Sequence, residues 1–212
     1  MDRITYGNPT IEHKKQIETV SILDNLFDAL KNDPFPDNES DLTKEELNEI
    51  SDQLKTILEP ENEAYLNRYK AYDRSLTQSI FSILKRKGID AEETIRLIDE
   101  DITPLVYKLK YFYNRARPYQ LANFHKFKLF PFNSVSAHSP SYPSFSSVRA
   151  YVILTLIGYK HPTEYLGLKE IIDDIIYSRQ YLGLNFPSDN EFSKNIAREI
   201  LKNSSFTKKH GI

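Results

Sequence analysis

Three short groups of residues in the second half of the chain have side chains suited to holding oxyanions. Lys110 and Arg117 are seven positions apart, nearly two helical turns, so both cations leave one side of the helix expected over Leu105–Arg115 if it persists to Arg117, where Pro118 would end it. Tyr142-Pro143-Ser144-Phe145-Ser146-Ser147 has the composition of a loop-to-helix junction. Backbone N–H groups at such a junction bind anions, and a serine there caps the helix or donates to a phosphate oxygen. Ser178-Arg179 is followed by Asn185 and Asp189 across a turn over 183–187. Taken singly, each group also has a plain structural use: a solvated basic face, a helix cap, or an arginine set against a helix dipole.

In this order and spacing the three groups resemble the signature shared by type 2 phosphatidic acid phosphatases, bacterial non-specific acid phosphatases and vanadium-dependent haloperoxidases. That signature is K-x6-R-P, then P-S-G-H, then S-R-x5-H-x3-D. The chain reads Lys110-x6-Arg117-Pro118, Pro143-Ser144-Phe145-Ser146 and Ser178-Arg179-x5-Asn185-x3-Asp189. The resemblance covers about residues 104–200 and keeps its spacing throughout. It implies a helical bundle with the three blocks converging at one end. Lys110, Arg117 and Arg179 would form a cationic cradle, completed by the Ser144 hydroxyl and the backbone N–H of Phe145. Such a ring of preorganised donors stabilises both a bound phosphate and a phosphoryl-transfer transition state.

Both histidines of the signature are replaced. The family's nucleophile position is Asn185, with Asp189 orienting it, and the general-acid position is Ser146. A carboxamide has no basic nitrogen lone pair, so Asn185 forms no phosphoenzyme and ligates no vanadate as imidazole does. A serine hydroxyl titrates far from neutrality and is a poor acid for a leaving oxygen. Phe145 also puts a large side chain where the family has glycine. His138, just before the second block, is the nearest substitute acid or nucleophile; His125 lies among aromatics, and His13, His161 and His210 lack supporting context.

The resemblance therefore implies a degenerate member of the superfamily. Its phosphate- or oxyanion-binding pocket is retained and its hydrolysis lost or strongly reduced, so that it serves as a binding or structural component for phosphate or a phosphorylated ligand. One alternative is an active phosphomonoesterase with a rearranged site. Another is single-stranded nucleic-acid binding, since 12 of the 26 aromatics fall between Tyr107 and Tyr151 among cations. The motif register already accounts for those cations without nucleic acid. No metal ligand spacing is visible, and no cofactor is expected.

The elements that must position these residues read as helices. Ile17, Val20, Leu23, Phe27 and Leu30 predict one core-facing helix, and Leu47, Ile50, Leu54, Ile57 and Leu58 another, with Thr43 as N-cap and Glu46 at the capping-box spacing. A loop is expected over 32–40, a third helix over 62–86, and a fourth from about Ala91 that Pro104 interrupts and restarts behind Thr103. Residues 117–143, with Pro118, Pro131, Pro140 and Pro143, read as irregular. Helices follow over 146–159, from Pro162 to about Tyr181 and over 190–202. The expectation is an all-α single domain over residues 1–212: an acidic helical part over 1–103, a motif-bearing part over 104–203, and a frayed tail over 204–212.

Charge follows the same division. Residues 1–100 hold 13 Lys/Arg against 22 Asp/Glu, whereas residues 101–212 hold 15 against 8, and no carboxylate occurs in the 62 residues between Asp101 and Glu164. A basic stretch of that kind calls for an anionic partner. The acidic half is either a solvated face or a docking surface for a basic protein. The 212 residues contain no cysteine, which removes disulfide scaffolds, thiol catalysis and Cys-ligated metals from consideration. No apolar run is long enough to span a bilayer, and residues 1–16 lack a secretory core, so the expected location is the cytoplasm or a larger intracellular particle.

Overall fold

The computed structural model describes residues 4–129 and 132–211. Pro131 and Ile212, counted above in the loop and the tail, lie outside the described residues. Those residues form eleven α-helices and no strand; one isolated antiparallel bridge joins Thr5 to Arg115. None of the helices is long and apolar enough to cross a membrane.

Where one first helix was expected, there are two. Helix α1 (Ile11–Glu18) stops at Thr19, and α2 (Phe27–Leu30) follows a separate turn. Thr19 bonds back to the Lys15 carbonyl, Asp24 accepts from the Ser21 N–H, and Ser21 donates to the Asp101 carbonyl. These local side-chain bonds compete with helix continuation and leave Val20 exposed. Helix α3 (Asp41–Ile57) buries Leu47, Ile50, Leu54 and Ile57 but not Leu58. Its N-cap is Ser40 rather than Thr43: the Ser40 hydroxyl accepts from the Thr43 N–H, and Thr43 donates to the Asp37 carbonyl. Glu46 is thereby free for a tertiary role.

The expected third helix is two, α4 (Glu63–Arg74) and α5 (Leu76–Arg86), separated by Ser75 in an extended conformation that caps the second. Pro104, in contrast, breaks nothing. Helix α6 (Glu92–Tyr113) runs through it at the loss of the one bond that a residue-104 N–H would give the Glu100 carbonyl, with Ile102, Leu105 and Val106 buried on either side. After α6 comes the short α7 (Pro118–Ala122), and the remaining loop leads to α8 (Phe145–Lys160), α9 (Tyr165–Tyr181) and α10 (Pro187–Lys202). The tail is folded as α11 (Ser204–His210): Phe206 is buried in the core, and the His210 ring bonds Asp101 at 2.9 Å.

The core is organised around α8, which is apolar on most sides and buries Val148, Val152, Ile153, Leu154, Leu156 and Ile157 between α9 and α10. A smaller cluster of Leu47, Ile50 and Leu54 from α3 packs with Ala116, Leu121 and Phe186. This second cluster fastens the acidic first part onto the segments that carry the motif.

Candidate functional site

Lys110 lies in the last turn of α6. The helix then ends at Tyr113, where Asn114 takes a left-handed conformation (φ 49°) and the chain turns. The helix thus stops two residues short of the expected Arg115, and the condition for one shared face, its persistence to Arg117, is not met. Arg117 is instead the N-cap residue of α7, and Pro118 begins that helix rather than ending the previous one. The turn brings the two cations to one stretch of loop: Lys110 Nζ donates to the Pro140 carbonyl (2.5 Å), and Arg117 Nε to the Ser139 carbonyl (2.9 Å).

The third block meets them there. Arg117 Nη1 donates to the Leu184 carbonyl (2.6 Å) and, at 3.4 Å, to Asn185 Oδ1, which also receives Arg179 Nε at 3.4 Å. The Asn185 oxygen thus stands between two guanidiniums at the long edge of hydrogen bonding. On its other side, Asn185 Nδ2 donates to the Ser141 carbonyl (2.8 Å) and to Asp189 Oδ2 (3.1 Å). Asp189, in the first turn of α10, also accepts from the Phe186 N–H (2.8 Å) and from Arg115 (2.7 Å).

The second block is tied to the third through α10. The Ser144 N–H reaches Ser193 Oγ (2.9 Å) and the Asp189 carbonyl (3.4 Å). Ser144 caps α8 as expected: its oxygen accepts from the Ser147 N–H (3.4 Å), and the two hydroxyls lie 2.9 Å apart, with Ser147 Oγ also bonded to Asn190 Oδ1 at 2.7 Å. The N–H of Phe145 belongs to the first turn of α8, where helix geometry provides no internal acceptor. The Phe145 ring meets the edge of Tyr107 and lies under the Arg149 guanidinium, 4.1 Å from its centroid.

No family model and no curated protein matches the chain. The site is therefore read from its own geometry.

All the cations are deeply buried: Lys110 is 1% exposed, Arg117 2% and Arg179 4%. Arg179 is compensated by Asp73 of α4 at 2.9 Å, and that carboxylate also accepts from Ser134, Ser136 and the Val135 N–H. Among the described residues, the side chains of Lys110 and Arg117 have no carboxylate within ion-pair distance and bond only to carbonyl oxygens and Asn185. Burial, reinforced by Arg117 and Arg179, pushes Lys110 well below the ordinary lysine range, against the pull of Asp189. Burial and Arg179 together lower Arg117 to about 10. Burial also lowers Arg179, with Asp73 opposing. The Nη2 groups of Arg117 and Arg179 have no hydrogen-bond partner among the described residues.

Lys110, Arg117, Arg179, Asn185 and Asp189 are thus assembled, with Ser144 alongside. Ser146 is half-buried without a hydrogen bond, and His138 is exposed without one. His125 bonds the Asn38 carbonyl, a packing role. Sequence reasoning missed four residues. Arg115 is 1% exposed, pairs with Asp189 and Glu46, donates to Ser188, and stacks 4.0 Å from the Phe186 centroid. Glu46 and Asp73 carry buried carboxylates from the acidic half to this cluster. His13 bonds the Tyr111 hydroxyl through Nδ1 at 2.7 Å, and burial lowers its pKa, with Glu12 opposing and Lys110 and His138 adding to the shift. Each acid did leave a signal: Asp73 adjoins buried Tyr69 and Tyr72 on α4, and Glu46 adjoins Leu47 and Ile50 on α3.

Proposed function

We propose that the protein is an oxyanion receptor of the phosphatase-superfamily type, binding phosphate or a phosphorylated ligand at Lys110, Arg117, Arg179 and Ser144 with hydrolysis lost or strongly reduced. The observation that carries this reading is the buried pair Lys110 and Arg117, whose positive charge meets carbonyl dipoles and, among the described residues, no carboxylate within ion-pair distance, Asp189 acting on both only from farther away. Taking ions out of water is expensive unless charge compensates them, and a bound anion would supply that compensation. The unpartnered Nη2 groups of Arg117 and Arg179 are donors of the kind an oxyanion accepts.

Asn185 supports the non-hydrolytic half of the reading. It holds the hydrogen bond to Asp189 that an imidazole at this position would use, yet it offers the arginines an amide oxygen and offers a phosphorus centre no nucleophile. Neither Ser146 nor His138 bonds another side chain that would make it a proton donor. In this reading the acidic first half has two uses. It lends Asp73 and Glu46 to the cluster, and its solvated face is the surface for a basic protein partner.

The test combines equilibrium dialysis against phosphate and vanadate with turnover of an aryl phosphate. Wild-type protein should retain both anions, Arg117→Met should not, and turnover should not exceed that of Arg179→Ala. Failure to bind either anion overturns the receptor, and turnover clearly above the Arg179→Ala control restores a phosphomonoesterase.

A further inference from the structure

A groove of different chemistry runs along α8, lined by none of the residues of the cation cluster. Helices α9 and α10 both pack along α8 but touch each other little, and between them a groove of ≈ 290 Å³ opens over α8. Its floor and walls are apolar: Leu154 of α8, Leu168 and Ile172 of α9, Ala197 and Leu201 of α10. Tyr165 closes one end. It can do so because Gly158 lets the ring rest on α8, where a Cβ would stand 2.7 Å from its Cδ2. Lining the groove are also Lys169, Lys194 and Arg198. Lys169 and Lys194 make no ion pair or hydrogen bond among the described residues, and Arg198 bonds only Asn195. A single carboxylate in the lining, Asp173 on the α9 wall, opposes three cations.

An apolar trough with an excess of unpaired cations complements an anionic head on an apolar chain. The volume argues for a chain rather than a helix, because a helix with its side chains is about 10–12 Å across. The cavity instead has room for on the order of ten water- or methylene-sized groups at about 30 Å³ each. From Tyr165 to Asp173 the α9 wall runs for about 12 Å, the length of such a chain laid straight. We infer that this groove binds a linear carboxylate of about ten carbons, its chain over Leu154 and Ala197 and its head between Lys194 and Arg198. The site shares no residue with the oxyanion cluster, so it stands or falls independently of the function proposed above.

The test is equilibrium dialysis of the full chain against decanoate, octanoate and decyltrimethylammonium. Burial of each methylene is worth about fourfold in affinity, so octanoate, two methylenes shorter, should bind about fifteenfold more weakly than decanoate. The cation of equal chain length should bind more weakly still. Lys194→Glu with Arg198→Glu, both exposed on α10 and checked for native helix content by circular dichroism, should reverse the preference for head-group charge. Thr155→Phe, which fills the groove and keeps its charges, should abolish decanoate binding. The inference is overturned if decanoate is not retained, if the two head groups bind equally, or if either variant binds decanoate like wild type. Capture of an acidic amphipathic peptide by a chain that ignores decanoate would also overturn it, in favour of a partner helix.

Discussion

Two pairs of buried cations stand side by side in this protein, and they are compensated differently. Arg115 and Arg179 are each held by carboxylates, Arg115 by Asp189 and Glu46 and Arg179 by Asp73. Lys110 and Arg117, equally buried, are held by the carbonyls of Ser139, Pro140 and Leu184. The ionic bonds of the first pair lock α3, α4 and α10 together, and Arg179 keeps its Nη2 for an anion besides. The second has the chemistry of a receptor, a positive charge desolvated by the fold and left for something else to neutralise. The contrast also gives the charge division along the chain a physical meaning. The acidic half supplies Glu46 and Asp73 to the structural pair and no hydrogen-bonded carboxylate to the other.

Breaking the structural pair should have the largest effect. Asp189→Ala leaves Arg115 with only the more distant Glu46 and strips acceptors from Asn185 and the Phe186 N–H. Loss of one partner of a buried pair costs about 3–5 kcal/mol. A fall in Tm on the order of 10 °C is expected in thermal denaturation, and an unchanged Tm would erase the distinction between the pairs.

Removing a cation from the receptor pair should act in the opposite direction. Lys110→Met replaces a buried, uncompensated ammonium by an apolar chain of similar length, and stability should rise by about 1–3 kcal/mol. The pH dependence has a definite sign. Because the folded-state pKa of Lys110 is lowered, the unfolded chain binds more protons, and wild-type stability climbs as pH rises from that lowered value toward about 10.4. Denaturant titrations across that range should show the climb in wild type and a flatter profile in Lys110→Met.

Asp73 gives the mirror image at acid pH. Burial pushes its carboxyl up, but the bonds from Ser134, Ser136 and the Val135 N–H together with Arg179 outweigh it and hold the group below its ordinary value. Its contribution is present above about pH 3.9 and is lost as pH falls through the depressed folded value. Asp73→Asn should therefore lower stability at neutral pH and flatten the acid limb of a stability profile measured by urea unfolding. The smallest effect belongs to Ser144→Ala, which removes the α8 cap for about 1 kcal/mol. It should also weaken phosphate binding, and a cap that acts on the fold alone would leave phosphate affinity untouched.

What could be read from the sequence depended on how local the cause was. The Ser144 cap, the loop over 32–40 and the helices α8 to α10 follow from residues within one turn of the feature. Pro104 misled because it removes a single helix bond, which the burial of Ile102, Leu105 and Val106 around it offsets. The helix expected to reach Arg115 stops at Asn114, one of the few side chains that tolerate a left-handed backbone. Within the site, spacing marked Lys110, Arg117, Arg179, Asn185 and Asp189. It did not mark Arg115, which has the same composition and neighbourhood as its fellow cations. Arg115 is distinguished by its carboxylate partners, Glu46 and Asp189, 69 and 74 positions away along the chain. Carboxylates brought in by tertiary packing decide which cation is structural, and no local pattern carries that information.

The central claim is that Lys110 and Arg117 hold charge that an oxyanion completes. Its most direct test is the thermal midpoint of wild type and Lys110→Met against phosphate concentration, with chloride holding ionic strength constant. A ligand bound only by the folded state at a hundred times its Kd adds about 2.7 kcal/mol of stability. Wild-type Tm should therefore climb by several degrees as phosphate is added, while Lys110→Met starts higher and stays flat. Parallel shifts in the two proteins, or no shift in wild type, would contradict it.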